Sequence, residues 1–130
     1  MSGSLNCETT RAVIPDFTKF PEIINPAPTQ VFVFLDVHEE SISDAHFGIA
    51  PPGTQFANVW GDLPADRHSR GCSLSFADGH AEVHKWLDPG TLRSIPANSR
   101  PSGAFLAPRD VAWTQLRTSA PINSSAPFPP

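Results

Sequence analysis

The chain has 130 residues, a formal charge of −4 and 39% hydrophobic residues, which is one ordinary domain with room for a modest core. Its basic residues are scattered, which excludes the concentrated positive surface that nucleic acid requires. No apolar run approaches the roughly 20 residues of a membrane helix, and fifteen prolines commit much of the chain to loops, because proline cannot occupy helix interiors or central strands.

Residues 1–30 are broken by Pro15, Pro21, Pro26 and Pro28 and read as loop and extended chain, with Ala12-Val13-Ile14 as a possible edge strand. The opening Met1-Ser2-Gly3-Ser4 has neither the basic nor the apolar region of an export signal, so taken literally it predicts a cytosolic protein. Val31–Val37 is the clearest strand, β-branched and aromatic, and apolar on both alternate sets. That pattern predicts a central strand covered on both faces. Residues 38–70 are mostly irregular, a length of loop usually reserved for function, partly packed through Phe47, Ile49, Phe56 and Trp60.

Ser73–Ala77 and His80–Trp86 flank Asp78-Gly79, the dipeptide that best tolerates the positive φ angles of a two-residue hairpin turn. Such a turn sets Leu74 opposite Val83 and Phe76 opposite Ala81 on a core face, with His80, Glu82 and His84 on the other. Asp88-Pro89 has the form of a helix start, and Asp110–Arg117 reads as a second short helix with Ala112, Trp113 and Leu116 as its apolar stripe. Pro121–Pro130 is a tail. The fold class predicted is α+β, mainly β: a small antiparallel sheet with long irregular loops, short C-terminal helices and a Pro-rich tail. The chain divides into a loop-rich N-terminal segment (1–30), a β-rich core module (31–93) and a Pro-rich C-terminal extension (94–130).

Four groups of residues have chemistry to consider. Asp36, Glu39, Glu40 and Asp44 offer the hard oxygen ligands that calcium takes from loops, although charge runs are commonly solvated surface. His68 is open to three roles: a histidine bonded to its own loop, a metal ligand or a general base. His80, Glu82 and His84 share a strand face and suit a transition metal only with a further ligand, such as His68 or Asp36. Cys7 and Cys72 fit either one disulfide in an oxidising compartment or two buried thiols. No nucleophile stands beside a base, so no catalytic residue is assigned.

The stretch Arg67-His68-Ser69-Arg70-Gly71-Cys72-Ser73-Leu74-Ser75-Phe76-Ala77-Asp78-Gly79-His80 places nine residues between His68 and Asp78. With "VFVFLDVHEESISDAHFG" upstream and Leu63-Pro64-Ala65-Asp66 between, it resembles the C-terminal module of prepilin-processing-associated, pilin-like proteins of the planctomycete and verrucomicrobial type. The likeness covers roughly residues 28–88, with a weaker echo at Asp110–Leu116. Val37 stands where relatives are often acidic, Ala45 where glycine is common, and the family's apolar N-terminal helix is missing.

The resemblance implies an extracytoplasmic, non-enzymatic head that packs with other pilin-like subunits or with itself, in a filament or a type II secretion-like pseudopilus. Membrane attachment would come only through the missing helix. His68, Gly71, Asp78, Gly79 and His80 become signature positions with structural roles. Calcium gains weight as the one implied cofactor, because many pseudopilins carry a calcium loop. The rival readings are an extracellular glycan- or peptide-binding module with Trp60, Trp86 and Trp113 as platforms, and a metal-dependent hydrolase using His68, Asp36 and His80.

Overall fold

The computed structural model describes residues 19–42, 47–50, 52–53, 55–93, 95 and 105–118. The edge strand expected at Ala12-Val13-Ile14 and the tail at Pro121–Pro130 lie outside the described residues. In chain order the elements are β1 (Phe32–Leu35), β2 (Val59–Trp60), β3 (Gly71–Phe76), β4 (Ala81–Lys85), β5 (Phe105–Leu106) and α1 (Pro108–Gln115), with single 3-10 turns at Phe20–Glu22 and Glu39–Ser41. The class is α+β, mainly β, with a small antiparallel sheet and one short C-terminal helix among the described residues.

The main sheet has the order β1-β3-β4, and β2 pairs with β5 in a second, two-stranded sheet. The centre is therefore β3, not the Val31–Val37 segment. Phe32 is fully buried, but the pairing shifts between Phe32 and Phe34. That irregularity turns Phe34 outward, 58% exposed, while Leu35 opposes Leu74. Apolar residues on both alternate sets predicted cover on two faces; that holds at the start of the segment, where Val31 and Phe32 are both fully buried, and fails beyond it, where Phe34 is exposed and Val33 and Leu35 are half-buried.

The hairpin forms, but one residue out of the expected register. Leu74 opposes Glu82, Ser73 opposes Val83, and Cys72 opposes His84. The loop is a three-residue one: the Gly79 N–H donates to Phe76 O at 3.0 Å, and the Phe76 N–H donates to His80 O at 2.9 Å. Gly79 has φ +93°, the left-handed residue that ends such a loop with a bulge. Side chains alternate with period 2, so one residue of slip exchanges the faces of β4. Val83, expected in the core, is 54% exposed, and His80, Glu82 and His84 lie on the same face as Cys72, Leu74 and Phe76. A Cβ at Gly79 would meet nothing within 4 Å, so Gly79→Val should cost only the backbone strain, about 1–3 kcal/mol. A urea unfolding midpoint unchanged from the parent would contradict this.

One hydrophobic cluster joins the sheets, the irregular segment and α1, from Phe32 through Phe47, Ile49, Trp60, Leu63, Leu74 and Trp86 to Phe105 and Val111. Trp60 stands at its middle, edge-on to Phe47 at 5.8 Å and to Trp86 at 5.7 Å. Each such pair contributes about 0.5–1.5 kcal/mol beyond its buried area. Phe56, expected to pack, is 58% exposed.

The helix expected at Asp88-Pro89 is a single turn, in which the N–H groups of Thr91 and Leu92 both reach Asp88 O. The Asp88 side chain is engaged elsewhere. The stripe read for the second helix is also corrected: its buried residues are Asp110, Val111, Thr114 and Gln115, and Ala112 is exposed.

Candidate functional site

Asp36 leaves β1 where the chain crosses to the 63–67 segment, and the crossing is stitched on both sides. Ala65 N–H donates to Asp36 O at 2.9 Å, His38 N–H to Leu63 O at 3.0 Å and Leu63 N–H to Ser41 Oγ at 2.8 Å. His38 begins the 3-10 turn Glu39–Ser41 by accepting the Glu40 N–H on Nδ1 at 3.2 Å. Residues 36–41 are thus stitched in place, and this brings Arg67 between the carboxylates of Asp36 and Glu39. Arg67 Nη2 donates to Asp36 Oδ1 at 2.7 Å and to Val37 O at 3.2 Å, while Nη1 donates to Glu39. The Glu39 carboxyl is held below its usual range by its own backbone N–H and by the Arg67 guanidinium. Open clefts of about 310 and 320 Å³ flank Glu39, the first lined by Leu35, Asp36, Ser41 and Arg67, the second by His38, Asp66 and Arg93 among others.

For calcium this geometry has a direct consequence. Arg67 supplies the positive charge between Asp36 and Glu39 that a cation would otherwise bring. Asp44 lies outside the described residues, and among the described residues no group of three or more His, Cys, Asp or Glu side chains is arranged to hold a metal ion. His68 Nε2 faces Asp36 Oδ2 at 3.6 Å, beyond hydrogen-bond length. His80 is far from that role. Its Nδ1 lies 2.5 Å from Asp78 Oδ1, its N–H donates to the same oxygen at 3.1 Å, and its ring stacks on Phe76 at 4.3 Å. The His80 hydrogen bond is also the leading reason that the Asp78 carboxyl lies below its ordinary range. His68, Asp36 and His80, the trio needed for a hydrolase, are not brought together.

Cys72 is fully buried and stands as a thiol among the described residues; Cys7, and with it the choice between a Cys7–Cys72 bridge and two buried thiols, lies outside the described residues. Burial, with the Asp36 charge adding, pushes the Cys72 thiol up to about 12. A thiol attacks only as thiolate. Alkylation at pH 8 is therefore expected to be negligible in the folded chain and prompt in urea. Rapid labelling of Cys72 without denaturant, located by peptide mass, would contradict this placement.

The three tryptophans do not offer bare faces. Trp60 is 4% and Trp86 2% exposed, and their ring N–H groups are satisfied by Thr91 Oγ1 and Ala65 O. Trp113 carries the His84 ring stacked at 3.6 Å and the Arg117 guanidinium at 4.0 Å. Burial holds the His84 imidazole below its ordinary range; Asp110 and Glu82 pull it up and Arg117 pushes it further down.

The most extensive polar network was not foreseen from sequence. Asp110, 1% exposed, accepts from Leu87 N–H, from Asp88 N–H at 2.9 Å and from Thr91 Oγ1 at 2.6 Å. Asp88 returns the arrangement: it accepts from the N–H groups of Arg109 and Asp110 at 2.7 and 3.1 Å and from Arg109 Nε at 2.6 Å. A side chain 20 residues upstream of Pro108 therefore caps α1, whose own N-cap residue, Ala107, makes no side-chain cap. Burial alone would raise the Asp88 carboxyl, but the hydrogen bonds from Arg109 and Asp110 outweigh it and hold it below the ordinary range. A carboxyl lowered by folding stabilises above its unfolded pKa, and that contribution is lost as the pH falls through the folded value. The cap is thus intact at neutral pH and weakens in acid. The sequence signal was present only in part, as two Asp residues each next to or near a proline; what joins them is a long-range contact.

No family model, curated protein or solved structure matches the chain.

Proposed function

We propose that the chain is the non-enzymatic, extracytoplasmic head of a pilin-like protein, joined in the native gene product to an apolar helix and working in a filament or secretion pseudopilus. The observation that supports this best is how residues 67–80 are used. They form one continuous unit: a tight loop, the central strand β3 and the hairpin loop. Gly71, Asp78, Gly79 and His80 stand at its joints, in close-approach, turn and stacking roles, and none is poised toward a reacting group. Arg67 is taken up by Asp36 and Glu39. The tryptophans needed by a glycan-binding module are in the core or covered. A hydrogen-bonded, ion-paired segment beside a three-stranded sheet suits a subunit that presents contact area to its neighbours.

The test is made on native source material: N-terminal sequencing and intact mass of the protein in envelope and medium fractions, with electron microscopy of the same fractions. An apolar helix preceding this head, and filaments that bear it, are the expected results. A native protein without such a segment, never found in filaments and retained tightly on a soluble glycan or peptide, would replace the proposal with the binding module.

A further inference from the structure

β4 is an outer strand of its sheet. Antiparallel ladders bond alternate residues, and the bonds from Phe76 N–H to His80 O and from Trp86 N–H to Arg70 O fix which ones. His80, Glu82, His84 and Trp86 direct their backbone groups to β3; Ala81, Val83 and Lys85 direct theirs away from it. Among the described residues nothing pairs with that outer row. Four of the five residues of β4 are exposed, Val83 by 54%. Edge strands of this kind are templates for pairing unless they are blocked.

We infer that this edge pairs with the same edge of a second copy, antiparallel about Val83, to make a continuous six-stranded sheet across two heads. The register follows from the residues. Centred on Val83, the pairing engages all three outward-directed residues of each strand. Val83 then meets Val83 of the other copy, Glu82 meets its His84, and Ala81 meets its Lys85. Carboxylate opposes imidazole, and no like charges are opposed. Centring on Glu82 would oppose two carboxylates, and centring on His84 would oppose two imidazoles. Lys85, the residue that would ordinarily discourage edge pairing, is placed opposite alanine. The interface is isologous, as a two-fold dimer requires. It adds to the pilin-like reading but does not depend on it, because a stand-alone module could pair in the same way.

Cysteine cross-linking in the full 130-residue chain, with Cys7→Ser to remove the second thiol, tests the register directly. Opposed residues of a bonded antiparallel pair have Cα atoms about 5.5 Å apart, within disulfide reach. Val83→Cys is therefore expected to give about ten-fold more disulfide dimer under mild oxidation than Ala81→Cys or Lys85→Cys alone. A mixture of the last two variants should recover cross-linking as a heterodimer. Val83→Pro removes only an outward N–H, a change that edge strands tolerate, and should leave the melting curve in place while abolishing concentration-dependent association in sedimentation. Equal cross-linking at all three positions, or no cross-linking with a monomer throughout the concentration range, would overturn the inference. If Val83→Pro unfolds, the cysteine series alone decides. Failure here with filaments present in native material would remove this pairing and leave the pilin-like reading standing; the reverse result would do the opposite.

Discussion

Asp110→Ala is expected to lower the stability of the fold by about 3–5 kcal/mol, the range for breaking a buried, fully bonded carboxylate arrangement. The reason is the donors left behind. The N–H groups of Leu87 and Asp88 and the hydroxyl of Thr91 all point at this one carboxylate, and each buried donor without an acceptor costs about 1–3 kcal/mol. The damage would spread, because Thr91 Oγ1 also accepts the Trp60 ring N–H at 3.0 Å, tying the network to the centre of the core. Asp110→Asn keeps one acceptor oxygen and should lose roughly half as much. Asp88→Ala should also destabilise, by removing the α1 cap, at the upper part of the ~0.5–2 kcal/mol usual for caps. Since each aspartate accepts the other's backbone N–H, the double variant should fall short of the sum of the single losses. Urea unfolding midpoints of the four chains decide this. A loss below about 1 kcal/mol for Asp110→Ala would mean that water reaches these donors and that the network is not the staple described.

The contrast with what the sequence disclosed is instructive at three places. The hairpin at Asp78-Gly79 was legible because turn chemistry is local: glycine at a positive φ and an aspartate that bonds the N–H two residues on. Its register was not legible, because that same aspartate bond favours a three-residue loop over a two-residue one, and a single residue decides which face of β4 is inside. For α1, apolar periodicity selected Ala112, Trp113 and Leu116, whereas the helix turns polar side chains inward. Gln115 Nε2 donates to Ala50 O and Ala57 O at 2.8 and 2.9 Å, and Thr114 and Thr118 bond back to carbonyls of the same chain segment. Satisfied polar groups can be buried at little net cost, so a hydrophobic stripe is a poor guide where the neighbours supply partners. At the acidic segment, residue type alone gave Asp36, Glu39, Glu40 and Asp44 as oxygen ligands for calcium. That Arg67, 31 residues after Asp36 and 28 after Glu39, comes to lie between these two is a fact of tertiary structure.

Gly71→Ala is expected to cost about 3 kcal/mol, the upper end of the usual penalty for overpacking, although it adds one methyl group. A Cβ at this position would lie 2.1 Å from His84 O, 2.9 Å from His84 C and 3.2 Å from Lys85 Cα. All three are backbone atoms of β4, so no side-chain rotation relieves the contact; β3 and β4 must separate where the hairpin is widest. At the two residues just before it the opposite sign is expected. Ser69 and Arg70 have φ +53° and +68°, and a left-handed conformation costs an L-residue roughly 1–2 kcal/mol. Ser69→Gly and Arg70→Gly should each therefore stabilise the fold by about 0.5–1 kcal/mol, after allowance for the greater freedom of glycine in the unfolded chain. The pair of results separates two reasons that favour glycine in the 67–71 loop: space at Gly71 and dihedral angle at its neighbours. Thermal melts of the three variants read both. If Gly71→Ala melts with the parent, the close approach of β3 and β4 at this end of the hairpin is wrong. If the two glycine variants lose stability, the Ser69 and Arg70 side chains make contacts that outweigh their backbone strain.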